Sequence, residues 1–144
     1  MQILLANSNT NMLTTWSSMV RRLGHEPLTA RNGPDAQALA ERLNLRIALI
    51  DPYVLGGISG MEVARRLRAA CPDIRLVLSP NNRALPISAP NLSAIADAIL
   101  FPPWQPWMLG EVMRVLLGVE PPPEEAPPDS DQREPGMSEP FYFP

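Results

Sequence analysis

The 144-residue chain has no lysine, a single cysteine and a single histidine. Each scarcity closes a class of chemistry. Without lysine, nothing that needs a lysine ammonium is available, and arginine carries all the side-chain positive charge. The lone Cys71 cannot form an internal disulfide, and its place at the end of an apolar helix pattern marks a buried structural thiol rather than a nucleophile. With only His25 present there is no Ser-His-Asp set, and no metal-spaced cluster or phosphate-binding glycine loop occurs. Gly56-Gly57 signals only a flexible loop. Long apolar runs are also missing, and the N-terminal Met1-Gln2-Ile3-Leu4-Leu5-Ala6 lacks a basic flank. The expectation is a cytoplasmic protein that is not an enzyme and has no membrane partner.

What is present is enough apolar residue, 45%, to fill one core. Charge is unevenly spread. Residues 1–119 hold 11 arginines against 8 acids, net +3, while residues 120–144 hold one arginine against seven acids, net -6. That last stretch also contains 8 of the 18 prolines and almost no aliphatic residue. It cannot bury enough apolar surface to offset its chain entropy, so a disordered tail is expected after a domain at 1–119. Phe141, Tyr142 and Phe143 stand out there, three of eight aromatics in the last four residues. They read either as a docking motif or as drift at a chain end.

The organising stretch is Arg46 to Asp51, an apolar run that ends in one carboxylate and is followed by a loop. It predicts a buried strand delivering Asp51 to a sheet edge. In open parallel α/β sheets ligands gather at the carboxyl ends of the strands, so Asp51 stands where a functional carboxylate is expected; the alternative is a turn-starting Asp-Pro pair. Ser59 and Glu62 then form a capping box that opens a helix with Met61, Val63, Ala64 and Leu67 on one side.

Upstream, residues 2–6 predict a first strand, and Asn7 to Thr10 provide loop and N-cap chemistry. Met12, Trp16, Met19, Val20 and Leu23 give a helical stripe that Gly24 ends. Residues 26–30 form a weak second strand whose Pro27 suits an edge, and Gly33-Pro34 opens a helix carrying Ala36, Leu39, Ala40 and Leu43. Downstream, residues 74–79 predict a fourth strand ending in the Ser79 hydroxyl. A Pro-rich loop confines the fourth helix to about residues 91–97. Residues 98–101 are the fifth strand, and Gln105-Pro106 caps a fifth helix with Leu109, Val112, Met113 and Leu116 inward. Five strands alternating with five helices imply a doubly wound parallel sheet of flavodoxin-like type.

With Leu23-Gly24-His25-Glu26, Ala48-Leu49-Ile50-Asp51, Gly60 through Arg68, and Pro102-Pro103-Trp104-Gln105-Pro106, the chain resembles a response-regulator receiver domain of two-component signalling over about residues 1–118. In that family an acid pair after strand 1 and the strand-3 Asp hold Mg²⁺. The Asp accepts a phosphoryl group, and a strand-4 hydroxyl and a strand-5 lysine bind it. The resemblance puts Asn7 and Ser8 at the acid pair, Asp51 at the acceptor, Ser79 at the hydroxyl, Pro102 at the lysine and Ile99 at the switch aromatic. It also makes the loop after Asp51 one residue longer than usual. Acceptor and hydroxyl survive; metal site, phosphate clamp and switch aromatic do not. One carboxylate is a poor Mg²⁺ site, and phosphoryl transfer needs cations around the equatorial oxygens. No cofactor is expected, with Mg²⁺ entering only if Asp51 is phosphorylated all the same. Arg83, on the loop after strand 4, is the arginine weighed for the lysine's place, and nothing in the sequence argues that it takes it.

The resemblance therefore implies a degenerate, stand-alone receiver that binds a signalling protein, such as a histidine kinase or another regulator, without phosphorylation. A phosphorelay acceptor modified at Asp51 is the rival. With no DNA-binding segment after the body, direct nucleic-acid contact is not expected. Trp107, in register with Glu111 and flanked by Met108 and Val115, reads either as an exposed partner-binding spot or as folded back over the Pro-rich helix start. In receivers the face made by helix 4, strand 5 and helix 5 is the usual one for dimerisation and partner contact. A homodimer through it is the expectation beside a signalling partner, and the terminal aromatics are the second expected partner contact.

Overall fold

Six short apolar runs form one sheet, in the spatial order β2-β1-β3-β4-β5-β6. They are β1 (Gln2–Ala6), β2 (Glu26–Ala30), β3 (Ile47–Ile50), β4 (Arg75–Leu78), β5 (Ala98–Leu100) and β6 (Phe141–Tyr142). The helices are α1 (Thr10–Arg22), α2 (Gly33–Leu43), α3 (Gly60–Ala70) and α4 (Pro106–Leu117), followed by a 3₁₀ turn at Pro123–Glu125. The computed structural model describes residues 1–52, 60–80, 95–125 and 141–144. Of the helix expected near 91–97, residues 91–94 lie outside the described residues and Ile95 is helical, so α4 is the helix expected fifth from sequence.

The first five strands are parallel, and among the described residues helices connect β1 to β2, β2 to β3 and β3 to β4, as the apolar pattern predicts. Their side chains alternate between two cores because successive Cβ atoms point to opposite faces of a strand. Leu4, Ala48, Ile50, Leu76 and Leu78 meet α2 and α3 through Ala36, Ala40, Val63 and Leu67. Ile3, Leu5, Ile47, Leu49 and Val77 meet α1 and α4 through Trp16, Val20, Leu109 and Val112. Each fully buried Leu or Ile contributes about 1.5–3 kcal/mol relative to exposure, so the two layers, not local propensity, fix the fold.

Helix starts follow the expected chemistry. The Asn9 side-chain oxygen accepts from the Met12 N–H at 3.1 Å, and that of Asn32 accepts from Asp35 at 2.8 Å. α4 begins with Pro106 after Gln105, whose backbone N–H donates to the Met108 sulfur at 3.3 Å. The helices end where the chain turns left-handed, at Asn44 after α2 and at Gly118 after α4. Ser59, half of the expected capping box, lies outside the described residues. One stripe position differs from expectation: Leu43, at the end of α2, is exposed. In α1 Met12 and Met19 pack half-buried on the core as expected, and Leu13 is buried beside them.

Two parts of the stretch expected as a tail are described, residues 120–125 and 141–144, and both touch the body. Pro121 meets Gly110 of α4 at 3.3 Å measured from an added Cβ, and Glu125 pairs with Arg22 at 2.7 Å. Phe141 and Tyr142 form β6, antiparallel to β5, pairing Leu100 with Phe141 and Ile99 with Tyr142. Composition counts aliphatic residues over the whole stretch and misses that two Phe side chains suffice to seat its end.

Candidate functional site

The strand ladders run one residue past each strand end, and this builds the site. The Asn7 N–H donates to Ala30 O at 3.1 Å, the Asp51 N–H to Ala6 O at 3.1 Å and the Ser79 N–H to Ile50 O at 2.9 Å. These bonds line up Asn7, Asp51 and Ser79 on three adjacent strands at the carboxyl rim of the sheet. All three are buried, Asp51 to 2% exposure. They are three of only four buried polar residues among those described. A buried polar group is costly unless partnered, so their shared place marks a built site rather than a turn.

α3 closes one wall. A Cβ on Gly60 would stand 1.8 Å from the Asp51 carbonyl oxygen, so only glycine lets the helix start this close to the strand end. The Met61 N–H donates to Pro52 O at 3.2 Å, which carries the chain over the same junction. Sequence reading placed Gly60 in the helix but missed this approach. The only local signal was a glycine at a helix start.

Asn7 determines what the rim can bind. Its side-chain oxygen accepts from the Asn9 N–H at 2.9 Å, which leaves the amide NH₂ inward. That nitrogen is buried and has no hydrogen-bond partner among the described residues. An NH₂ group donates and cannot ligate a cation. Ser8 beside it is half-buried and offers a hydroxyl in place of a carboxylate. Among the described residues no three His, Cys, Asp or Glu side chains gather to hold a metal ion. The Mg²⁺ implied by the resemblance does not fit this donor set.

The hydroxyl at the next strand end is engaged as well. The Trp104 indole N–H donates to Ser79 Oγ at 3.2 Å, and both residues are buried. Trp104 is held from behind by Trp16, with ring centroids 6.3 Å apart at 38°. Pro102 and Pro103, joined by a cis peptide, carry the chain from β5 to this indole. Pro102 is half-buried and brings no charge. Arg83 and the loop after Pro52 lie outside the described residues. Ile99 is wholly buried in the core on the α2 and α3 side.

The partner face expected on the last helix is only partly available. Trp107 is 8% exposed and Met108 is buried with it in the core on the α1 and α4 side, so the exposed reading of both is corrected. A wide apolar face reaching from Trp107 through Met113 is inward, because α1, β5 and the terminal aromatics surround this helix start. Val115 is 49% exposed, and Glu111 pairs with Arg114 on the outer side. Phe141 and Phe143 are half-buried against the same core, their rings edge to face at 5.5 Å.

The two remaining candidates lie elsewhere. His25 is at the opposite rim, where the Met1 ammonium stands 3.0 Å from Nδ1; burial first, and that ammonium second, lower its pKa. Cys71 is half-buried rather than buried, and burial, with the Glu41 carboxylate second, raises its pKa, so the thiolate is disfavoured. A hollow of about 710 Å³ beside it, lined by Glu41, Asp73, Arg75 and Leu117, lies at that far rim, away from Asp51.

No protein-family model and no curated protein sequence matches the chain. Solved structures do. The receiver domain of a sensor histidine kinase from Pseudomonas aeruginosa, with magnesium coordinated in its active-site cleft, superposes with a TM-score of 0.73 at 23% identity, covering 82% of this chain and 98% of that one. A CheY-like receiver domain protein from Methanospirillum hungatei gives 0.69 at 23% identity over 80% of this chain and 92% of its own. A complex of the histidine kinase ThkA with the response regulator TrrA gives 0.71 at 26% identity, with 81% and 97% covered. The chain has the fold of a CheY-like response-regulator receiver domain.

Proposed function

We propose that the chain is a binding module of signal transduction that uses the receiver fold to engage another signalling protein without being phosphorylated. The observation that carries this reading is Asn7: where a cation-binding rim needs carboxylates, a buried amide NH₂ points inward. The Trp104 bond to Ser79 and the uncharged Pro102 support it, since a transferred phosphoryl group needs donors and cations free to meet it. The module is not an enzyme on this reading and takes no cofactor. The solved complex of a histidine kinase with a response regulator supports a kinase as the partner class. Glu111 and Val115 on the outer side of α4 remain the proposed contacts of that face, for a partner or a second copy.

A second reading keeps one specific support. Asp51 and Ser79 stand side by side at the rim, the acceptor and hydroxyl positions of a receiver. In that reading Asp51 accepts a phosphoryl group with Mg²⁺ held largely through waters. Incubation with a small-molecule phosphodonor and Mg²⁺, read by intact mass, separates the two. Wild type is expected to stay unmodified. The variant Asn7→Asp, Ser8→Asp, Pro102→Lys is expected to gain one phosphoryl group that Asp51→Asn abolishes. Labelling of the wild-type chain at Asp51 would overturn the phosphorylation-independent reading.

A further inference from the structure

The outer edge of β5 is occupied in an unusual way. β5 is a three-residue strand paired on one side with β4 and on the other with the two residues of β6. Along β6 the side chains alternate. Phe141 and Phe143 pack on the core that contains Trp104, Trp107, Met108 and Leu109, while Tyr142 is 50% exposed. An edge that takes backbone ladder bonds from an added strand and sorts its alternate side chains into apolar contacts has the two elements of β-strand addition. In sequence the added strand follows residues 126–140, a stretch with four prolines and four acids.

The energetic balance makes this occupancy replaceable. Among the described residues, two register pairs and two half-buried rings form a small contact, far below a stable interface in extent. Covalent connection adds to it, since a segment of the same chain meets its own edge at an effective concentration on the order of millimolar. A competing segment does not need a new pocket. It needs extended backbone, aromatic side chains two apart, and a better contact than the resident one.

We propose that the outer edge of β5 is a receptor for an extended segment of a partner protein that carries aromatic side chains at alternate positions. Phe141-Tyr142-Phe143 is its resident, displaceable ligand. The inference rests on the binding-module reading for the existence of a partner and adds where and by what chemistry that partner docks. The contact is antiparallel to β5. The subsites are those now filled by Phe141 and Phe143, and the middle residue of the partner segment faces solvent. The terminal aromatics thus regulate access to the edge rather than reaching out for a partner themselves.

A dye-labelled peptide of residues 138–144 serves as the probe. It is titrated by fluorescence anisotropy against the full chain and against the full chain carrying Phe141→Ser and Phe143→Ser, which vacates the subsites. The variant is expected to bind the peptide at least about ten-fold more tightly than wild type, reflecting loss of the tethered competitor. A control peptide with both Phe positions changed to Ser is expected to bind neither chain. Equal affinities for the two chains, or no binding to a folded variant, would overturn the proposal. A second arm avoids the variant. A nitroxide-labelled peptide at about millimolar concentration, comparable with the tethered strand, is expected to broaden the Ile99 and Leu100 amide resonances of wild type. Unbroadened resonances would overturn it equally. Neither readout depends on whether Asp51 takes a phosphoryl group, so this idea and the phosphorylation-independent reading fail separately.

Discussion

Trp104 donates its indole N–H to the hydroxyl of Ser79 across 3.2 Å, and neither residue reaches solvent. A buried hydrogen bond contributes little net stability while intact, but removing one partner leaves the other unsatisfied. Ser79→Ala strands the indole N–H and is expected to cost about 1–3 kcal/mol in denaturant unfolding. In the double variant with Trp104→Phe the loss should be smaller than the sum of the singles, because the orphan is gone. Additive losses in that double-mutant cycle would show that the two groups are not coupled.

Adding millimolar Mg²⁺ is expected to leave the tryptophan fluorescence and the melting temperature of wild type unchanged, since stabilisation by a ligand requires occupancy. Asn7→Asp replaces the inward NH₂ by oxygen and sets a second carboxylate beside buried Asp51. Like charges that share a site destabilise each other. This variant should therefore be less stable than wild type without Mg²⁺ at neutral pH and should recover when the cation is added. A variant indifferent to Mg²⁺ would remove Asn7 as the reason for the poor metal fit.

Gly60→Ala should be among the most damaging single-methyl additions in the chain. The new Cβ meets the Asp51 backbone carbonyl at 1.8 Å, and backbone cannot step aside as a flexible side chain can. The expected loss is about 3 kcal/mol or more. Gly24, where an added Cβ meets nothing within 4 Å but φ is +85°, provides the comparison. There alanine is expected to cost only the strain of a left-handed backbone, about 1 kcal/mol. Thermal unfolding of both variants checks the order.

His25 makes stability depend weakly on pH. Its pKa in the folded chain lies below the ordinary value of 6.5, through burial first and the Met1 ammonium second, so the unfolded chain takes up the proton more readily. Above about pH 7.5 both states are neutral and the residue contributes nothing. As pH falls through 6.5, stability is expected to decline, and the decline stops once the folded chain is also protonated. His25→Gln should flatten that part of a urea-midpoint profile. A profile unchanged by the substitution would assign the slope to other groups.

Asp97 joins three elements at the start of β5. Its carboxylate accepts from the Leu76 N–H at 2.8 Å and pairs with Arg68 at 2.7 Å and Arg75 at 3.6 Å. Asp97→Ala leaves a backbone donor and two guanidinium groups without this partner. The expected loss is about 1–3 kcal/mol, largest at low salt because the arginines are partly exposed. Asp97→Asn, which keeps an acceptor, should cost less in the same unfolding measurement.

Most of the fold was legible because strand and helix periods differ and the punctuation was strong. Ala48 to Asp51, Gly33-Pro34 and Gln105-Pro106 each announced an element that the structure contains. Asp51 and Ser79 were legible at the rim for the same reason, as polar residues that end apolar runs. Trp107 was not. Helical periodicity reports which side faces the sheet, but burial at a helix start depends on segments that arrive from elsewhere in the chain. The Phe141-Tyr142-Phe143 run was too short to carry a strand period, and its pairing with β5 is a long-range contact that no local pattern encodes. The orphaned Asn7 nitrogen was likewise invisible, because sequence shows an amide but not which of its ends faces inward.

The sheet finishes differently on its two sides. On one side β2 is the outer strand and carries Pro27, which has no N–H to offer a neighbour. On the other, β6 presents only two residues. Fibres grow where a long bare strand templates the next molecule, through an uninterrupted row of donors and acceptors. Among the described residues neither border of this sheet offers such a row, so crowded solutions of the folded chain are expected to be poor in nuclei for cross-β growth.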